Sequence, residues 1–114
     1  ICDALLGAAG LRDIGVYFPD NDPALKGIDS KILLRKTVEI LTEKGFSIGN
    51  IDSTICLEKP KIKANIPLMQ QTLADVMGID TSDISIKATT TETLGFTGRE
   101  EGVSAYAVVL VEKS

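Results

Sequence analysis

The 114-residue sequence contains no histidine and no tryptophan, and its aromatic residues are two tyrosines and three phenylalanines. Histidine is the commonest general base and the commonest metal ligand among side chains, so chemistry on this chain must use other groups. The two cysteines, Cys2 and Cys56, lie far apart in sequence. This spacing favours free thiols in a reducing compartment over a disulfide framework.

The sequence also lacks long apolar runs and an excess of positive charge. No apolar stretch approaches bilayer length, and no basic-then-apolar N-terminus resembles a signal peptide. The net charge of −4 argues against nucleic acid or an anionic membrane as the main partner. With 44% hydrophobic residues, we predict one domain over residues 1–114. Because the chain opens on Ile1 with a mid-helix pattern, we expect an N-terminal part to be absent.

The hydrophobic pattern predicts alternating helices and strands. Helices are predicted at 1–10, 30–44 and 67–78, and strands at 46–58, 84–90 and 103–112, with an irregular segment at 11–29. The last strand is apolar on both faces over Ala107–Val111, which indicates a central or interface-covered strand. The order predicts an α+β or α/β sandwich, and we adopt α+β. Helices would cover one face of a small β-sheet, and self-association the other.

The stretch between the last two strands, residues 87–102, is unusually rich in polar residues. Thr89–Thr91 could donate to phosphate oxygens, Glu92 could hold a divalent cation, and Arg99 suits an anion. Two glycines there would permit close backbone approach or positive φ. The alternative is an ordinary turn with Thr-rich strand ends, which residue types alone favour.

Two further polar segments have plain alternatives. Asp20–Pro23 is first a turn signature, because Asp and Asn side chains bond their own backbone. Three lysines within residues 58–63 could meet phosphate, although a solvated loop is the default interpretation.

Several sequence blocks together are more specific than any one of them. They occur in this order: Cys2–Ala9, Asp13–Gly15, Phe18–Pro23, Asp29–Ser30, Gly49–Asp52, Lys59–Lys61, Ile66–Pro67, Lys87–Glu92, Leu94–Arg99 and Glu101–Gly102. As a set the chain resembles the 2-C-methyl-D-erythritol 2,4-cyclodiphosphate synthase family of the non-mevalonate isoprenoid pathway. The resemblance extends along essentially the whole chain and displaces the plain interpretation of the threonine-rich loop.

The resemblance implies a homotrimer with active sites between neighbouring subunits, in a bacterial cytoplasm or a plastid. It implies attack by the 2-phosphate of 4-diphosphocytidyl-2-C-methyl-D-erythritol 2-phosphate on the β-phosphorus, with release of CMP. Its cofactors would be one zinc ion, with ligands upstream of Ile1, and one magnesium or manganese ion at Glu92. The alternatives are a non-catalytic trimer that binds cytidine nucleotides or isoprenoid diphosphates, and a plain interaction domain.

The resemblance also assigns site residues by position. Thr90 would stabilise the transition state, and the diphosphate would contact Thr89, Thr90, Thr91 and Glu92. The ribose would contact Asp13, Ile14 and Gly15, and the methylerythritol would contact Phe18, Pro19, Asp20, Asn21 and Asp22. The cytosine would contact Leu57, Glu58, Lys59, Pro60, Lys61, Ile62 and Lys63. A channel in the trimer, which could bind an isoprenoid diphosphate, would be lined by Phe96 and Arg99.

Two positions depart from the family pattern. Asn21 replaces a usual threonine, and Glu100 replaces a common glycine. We hypothesise that Glu100 weakens anion binding by Arg99 beside it. The cytosine pocket would use mainly backbone groups, so side-chain variation at Glu58 is expected to be tolerable.

Overall fold

The computed structural model describes residues 1–59, 61–90 and 92–113. The helices and strands are α1 (Cys2–Ala8), α2 (Ile14–Tyr17), α3 (Ser30–Glu43), β1 (Phe46–Cys56), α4 (Ile66–Met77), β2 (Ile84–Thr89), α5 (Gly95–Gly98) and β3 (Ser104–Lys113). Short 3-10 turns lie at Pro23–Leu25, Lys63–Asn65 and Thr81–Asp83. Within these ranges, every helix is too short or too polar to cross a bilayer.

The three strands form one mixed sheet in the order β2-β1-β3. Strand β1 runs parallel to β2 and antiparallel to β3. The alternation of apolar residues in this strand slips at Gly49–Asn50, which predicts a bulge or bend. The β1–β3 register shifts between Ile48 and Asn50, which confirms this irregularity. Because β1 and β2 are parallel, the segments that follow them leave the sheet at the same edge.

The core lies between one face of this sheet and helices α1, α3 and α4. Its buried members are Leu5, Leu6, Leu34, Leu41, Ile51, Ala74, Met77, Ile84 and Ile86. Thr37 is buried among them, and its hydroxyl donates to the Leu33 carbonyl at 2.8 Å. The arrangement confirms the predicted α+β class with helices on one face of a small sheet.

The last strand, β3, is an edge strand within this chain. Val109 and Val111 pack against the core, whereas Tyr106, Val108 and Leu110 are 64%, 73% and 57% exposed on the opposite face. The central position that the sequence allowed is therefore wrong. Burial of the opposite face in an assembly stays a prediction.

Local boundaries differ slightly from those predicted. Asp29 caps α3, because its carboxylate accepts from the Lys31 amide at 2.9 Å, and Ser30 is the first helical residue. The segment 11–29 is not irregular throughout, since it holds α2 and a 3-10 turn. In each case an aspartate side chain caps the first turn: Asp29 caps α3, Asp13 caps α2 and Asp22 caps the 3-10 turn.

Candidate active site

A cavity of about 260 Å³ lies where β1 and β2 leave the sheet. It is lined by Leu57, Lys61, Ile62, Lys63, Ala88, Thr89 and Thr90. The Leu57 amide donates to the Thr89 carbonyl at 3.0 Å, which extends the parallel pairing past the end of β1. The structure thus brings together the segments predicted for cytosine and for diphosphate. A larger cavity of about 380 Å³ adjoins Phe46 at the start of β1, and none of the predicted residues lines it.

The two threonine hydroxyls at the cavity differ in their hydrogen bonds. The Thr90 Oγ1 accepts from the Glu92 amide at 3.3 Å, and its own proton has no acceptor among the described residues. The Thr89 hydroxyl donates to the Thr90 carbonyl, also at 3.3 Å. Thr91 and Pro60, both predicted as substrate contacts, lie outside the described residues.

The turn after these threonines has an uncommon backbone conformation. Glu92 and Thr93 have φ values of +54° and +65°, in the left-handed region that side chains disfavour. The Thr93 amide donates to Glu58 Oε1 at 3.0 Å, across 35 residues of sequence. The expectation that side-chain variation at Glu58 is tolerable did not take this bond into account, because no local pattern connects such distant positions.

Gly95 and Gly98 hold the other side of this turn. Gly95 has φ of +69°. A Cβ at Gly98 would lie 2.1 Å from the Thr93 carbonyl carbon, a distance that real Cβ atoms essentially never show. The sequence expectation of positive φ or close backbone approach at these glycines is confirmed.

The exposed Glu92 carboxylate is suited to one of the two predicted metals. Among the described residues, no three His, Cys, Asp or Glu side chains are grouped to hold a metal ion. Magnesium commonly takes one or two carboxylates and completes its shell with phosphates and water, so a lone Glu92 beside a diphosphate site fits it. A zinc site needs three or four protein ligands. The described residues do not fit zinc.

Comparison with known proteins identifies the family. The sequence profile of the YgbB family matches residues 1–112. The chain belongs to the YgbB family. It is 71% identical over 113 residues to 2-C-methyl-D-erythritol 2,4-cyclodiphosphate synthase of Bacteroides thetaiotaomicron, covering 99% of this chain and 71% of that protein. It is 55% identical over 112 residues to the synthase of Thioalkalivibrio sulfidiphilus, covering 98% and 70%.

Solved structures agree with this YgbB assignment. The bifunctional IspDF of Campylobacter jejuni superposes with a TM-score of 0.95 at 41% identity, covering 99% of this chain and 31% of that one. IspF of Plasmodium falciparum, solved as a CDP complex, superposes with a TM-score of 0.85 at 33% identity, covering 98% and 67%. The named relatives are synthases, which makes this chain a member of an enzyme family.

The YgbB-family segment predicted to bind ribose and methylerythritol lies apart from the cavity. None of residues 13–22 is among the cavity-lining residues. Asp13 caps α2 by accepting from the Val16 amide at 3.2 Å, and Asp3 accepts from the Ile14 amide at 2.7 Å. Asp22 accepts from the Ala24 amide at 3.0 Å, which confirms the turn signature.

The predicted channel residues lie on and just after α5. Phe96 is about half exposed, at 49%. The Arg99 guanidinium donates to Glu101, whereas Glu100 pairs with Lys59 at 3.5 Å. Glu101, rather than Glu100, bonds the Arg99 guanidinium, and the hypothesis that Glu100 weakens anion binding by Arg99 stays a prediction.

Proposed function

We propose that this YgbB-family chain, together with the zinc ligands that the family resemblance implies upstream of Ile1, converts 4-diphosphocytidyl-2-C-methyl-D-erythritol 2-phosphate to 2-C-methyl-D-erythritol 2,4-cyclodiphosphate and CMP. A 2-phosphate oxygen forms a bond to the β-phosphorus. The bond from the β-phosphorus to the oxygen shared with the α-phosphorus breaks, and CMP leaves with that oxygen and its electron pair. This intramolecular phosphoryl transfer requires no redox partner.

The observation that carries the proposal is the cavity at the shared edge of β1 and β2. It combines Lys61 and Lys63 with the hydroxyl-bearing end of β2, so positive charge and hydrogen-bond donors face one space. A cytidine diphosphate group needs both kinds of partner. The CDP complex of Plasmodium falciparum IspF, with a TM-score of 0.85 to this chain, supports a nucleotide in this fold.

The described residues act mainly by binding and orienting. Because both reacting phosphates belong to one substrate, holding them in a near-attack geometry can supply much of the acceleration. Thr90 donates its free proton to charge that develops on the transferring phosphoryl group. When bound at Glu92, magnesium or manganese would supply positive charge that offsets repulsion between the phosphates. The absence of histidine does not prevent this chemistry, since the nucleophile is the substrate's own phosphate.

A homotrimer would complete the site. Tyr106, Val108 and Leu110 form an exposed apolar strip on β3, which is costly to leave in water and suits burial against another subunit. Residues 13–22 do not line the cavity of their own chain, which agrees with their supplying the ribose and methylerythritol contacts of a neighbouring site. The Phe96 and Arg99 pair would then line a channel for an isoprenoid diphosphate, with Arg99 partly neutralised by Glu101.

The test measures CMP release from the named substrate with magnesium present. We expect turnover by the purified protein and its loss in Glu92→Ala, with the unfolding midpoint unchanged because the Glu92 side chain is exposed. Thr90→Val should lower kcat about 100- to 1,000-fold, as for one lost transition-state donor, and Thr90→Ser should keep most activity. CDP binding without CMP release would instead indicate the non-catalytic nucleotide-binding module. Unchanged turnover in Glu92→Ala would refute its role.

A further inference from the structure

The turn that presents Glu92 is held in place by contacts from distant parts of the chain. Two consecutive non-glycine residues, Glu92 and Thr93, have positive φ. Such conformations are energetically unfavourable and persist only where the surroundings enforce them. The turn therefore needs an external constraint if the Glu92 carboxylate is to keep one position.

Glu58 provides a constraint on the cavity side. Its Oε1 accepts from the Thr93 amide at 3.0 Å. Its Oε2 is shielded from solvent and has no hydrogen-bond partner among the described residues. A bond from a neutral amide to a carboxylate is stronger than one to a neutral acceptor.

Gly98 provides the constraint on the opposite side. The Thr93 backbone packs so closely on Gly98 that no Cβ fits between them. The turn is thus fixed between a carboxylate from the nucleotide-pocket segment and the backbone of α5. The neighbouring ion pair of Lys59 with Glu100 joins the same two segments at 3.5 Å.

We propose that Glu58 is a positioning residue for the metal ligand Glu92. It fixes the Thr93 amide and, through the peptide between them, the direction of the Glu92 side chain. This inference rests on the metal role proposed above for Glu92. It assigns a specific task to a position in the cytosine-pocket segment whose side chain was expected to be free to vary.

A pair of substitutions separates hydrogen bonding from charge. Glu58→Gln removes the charge and keeps an acceptor oxygen at the same reach. Glu58→Asp keeps the charge and shortens the side chain by one methylene, so its oxygen falls short of the Thr93 amide. A positioning role predicts nearly normal Mn²⁺ affinity in Glu58→Gln and reduced Mn²⁺ affinity in Glu58→Asp. A purely electrostatic role predicts the reverse. Glu39→Ala, on an exposed position of α3, is the matched control for loss of a carboxylate.

The primary readout is Mn²⁺ affinity in the presence of saturating CDP. Free Mn²⁺ is measured by electron paramagnetic resonance and corrected for uptake by CDP alone. We expect the Mn²⁺ affinity to fall about 10- to 100-fold in Glu58→Asp, as is typical when a residue that orients a metal ligand is replaced. In Glu58→Gln it should fall by about threefold or less. Glu39→Ala should match the unsubstituted protein. The Thr93 amide resonance should shift in Glu58→Asp and not in Glu39→Ala.

The outcomes distinguish the two proposals. If Glu92→Ala loses Mn²⁺ and Glu58→Asp retains it, the metal role stands and the positioning role is overturned. If the unsubstituted protein binds CDP and takes up no further Mn²⁺, both fall together. Should Glu58→Asp fail to fold, a normal Mn²⁺ affinity in Glu58→Gln supports positioning, and a loss in that variant overturns it.

Discussion

Replacing Gly98 by alanine tests how closely the turn that carries Glu92 packs on α5. The added Cβ would lie 2.1 Å from the Thr93 carbonyl carbon and 2.6 Å from its Cα and carbonyl oxygen. All three are backbone atoms, so no side chain can rotate away. Reaching even 3.0 Å requires the turn and α5 to separate by roughly 1 Å, which we expect to displace Glu92.

The magnitude follows from this overlap. Overpacking by one methyl group typically costs about 1–3 kcal/mol in unfolding free energy. A displacement of about 1 Å at a reacting site can lower activity about 100-fold. We therefore expect Gly98→Ala to lose more in CMP release than its modest loss of stability explains.

The matched control is Gly7→Ala on α1. There the added Cβ would meet only the Arg12 carbonyl oxygen, at 3.9 Å. Alanine in a helix interior is favoured over glycine by about 0.5–1 kcal/mol, so this variant should gain stability and keep its activity. Urea unfolding and CMP release are measured for both variants. Equal stability and full activity in Gly98→Ala would refute the close packing of Thr93 on this glycine.

Two further predictions concern the assembly and the acid stability of the fold. Val108→Glu puts a charge on the exposed apolar strip of β3 and should dissociate the proposed trimer in analytical ultracentrifugation. Leu68→Glu, at a similarly exposed position of α4, should not. A trimeric Val108→Glu protein would contradict the proposed interface. The Ser82 amide and hydroxyl donate to Asp80 and lower the pKa of its carboxyl group below the ordinary 3.8. The ionised Asp80 therefore stabilises the fold above pH 3.8, and this stabilisation is lost as the pH falls through the lowered pKa. Urea unfolding of Asp80→Asn should therefore show a deficit relative to the unsubstituted protein near neutral pH that shrinks in acid, and a deficit independent of pH would count against this assignment.

Much of the local structure could be predicted from short-range patterns. Leu34 and Leu41 are seven residues apart, a helical spacing that predicts one buried side of α3, and both are buried there. Glycine commonly ends helices with positive φ, and Gly78 ends α4 with φ of +69°. These features depend on helical periodicity and capping, which are set within a few residues. The threonine-rich segment likewise drew attention through residue types alone, and its family resemblance was confirmed by the YgbB match.

The sequence by itself determined the three longest helices, the three strands, the irregularity in β1 and the family. Only the tertiary structure decided that Glu58 bonds Thr93, that Glu101 bonds Arg99, and that β3 lies at an edge of the sheet. Thr37 shows the same limit, since a polar residue on a helix became part of the core through the packing around it. The contact between Glu58 and Thr93, 35 positions apart, depends on which strands have their carboxyl ends side by side in the sheet. Strand order and chain packing decide which strand ends are neighbours, and no local pattern encodes them.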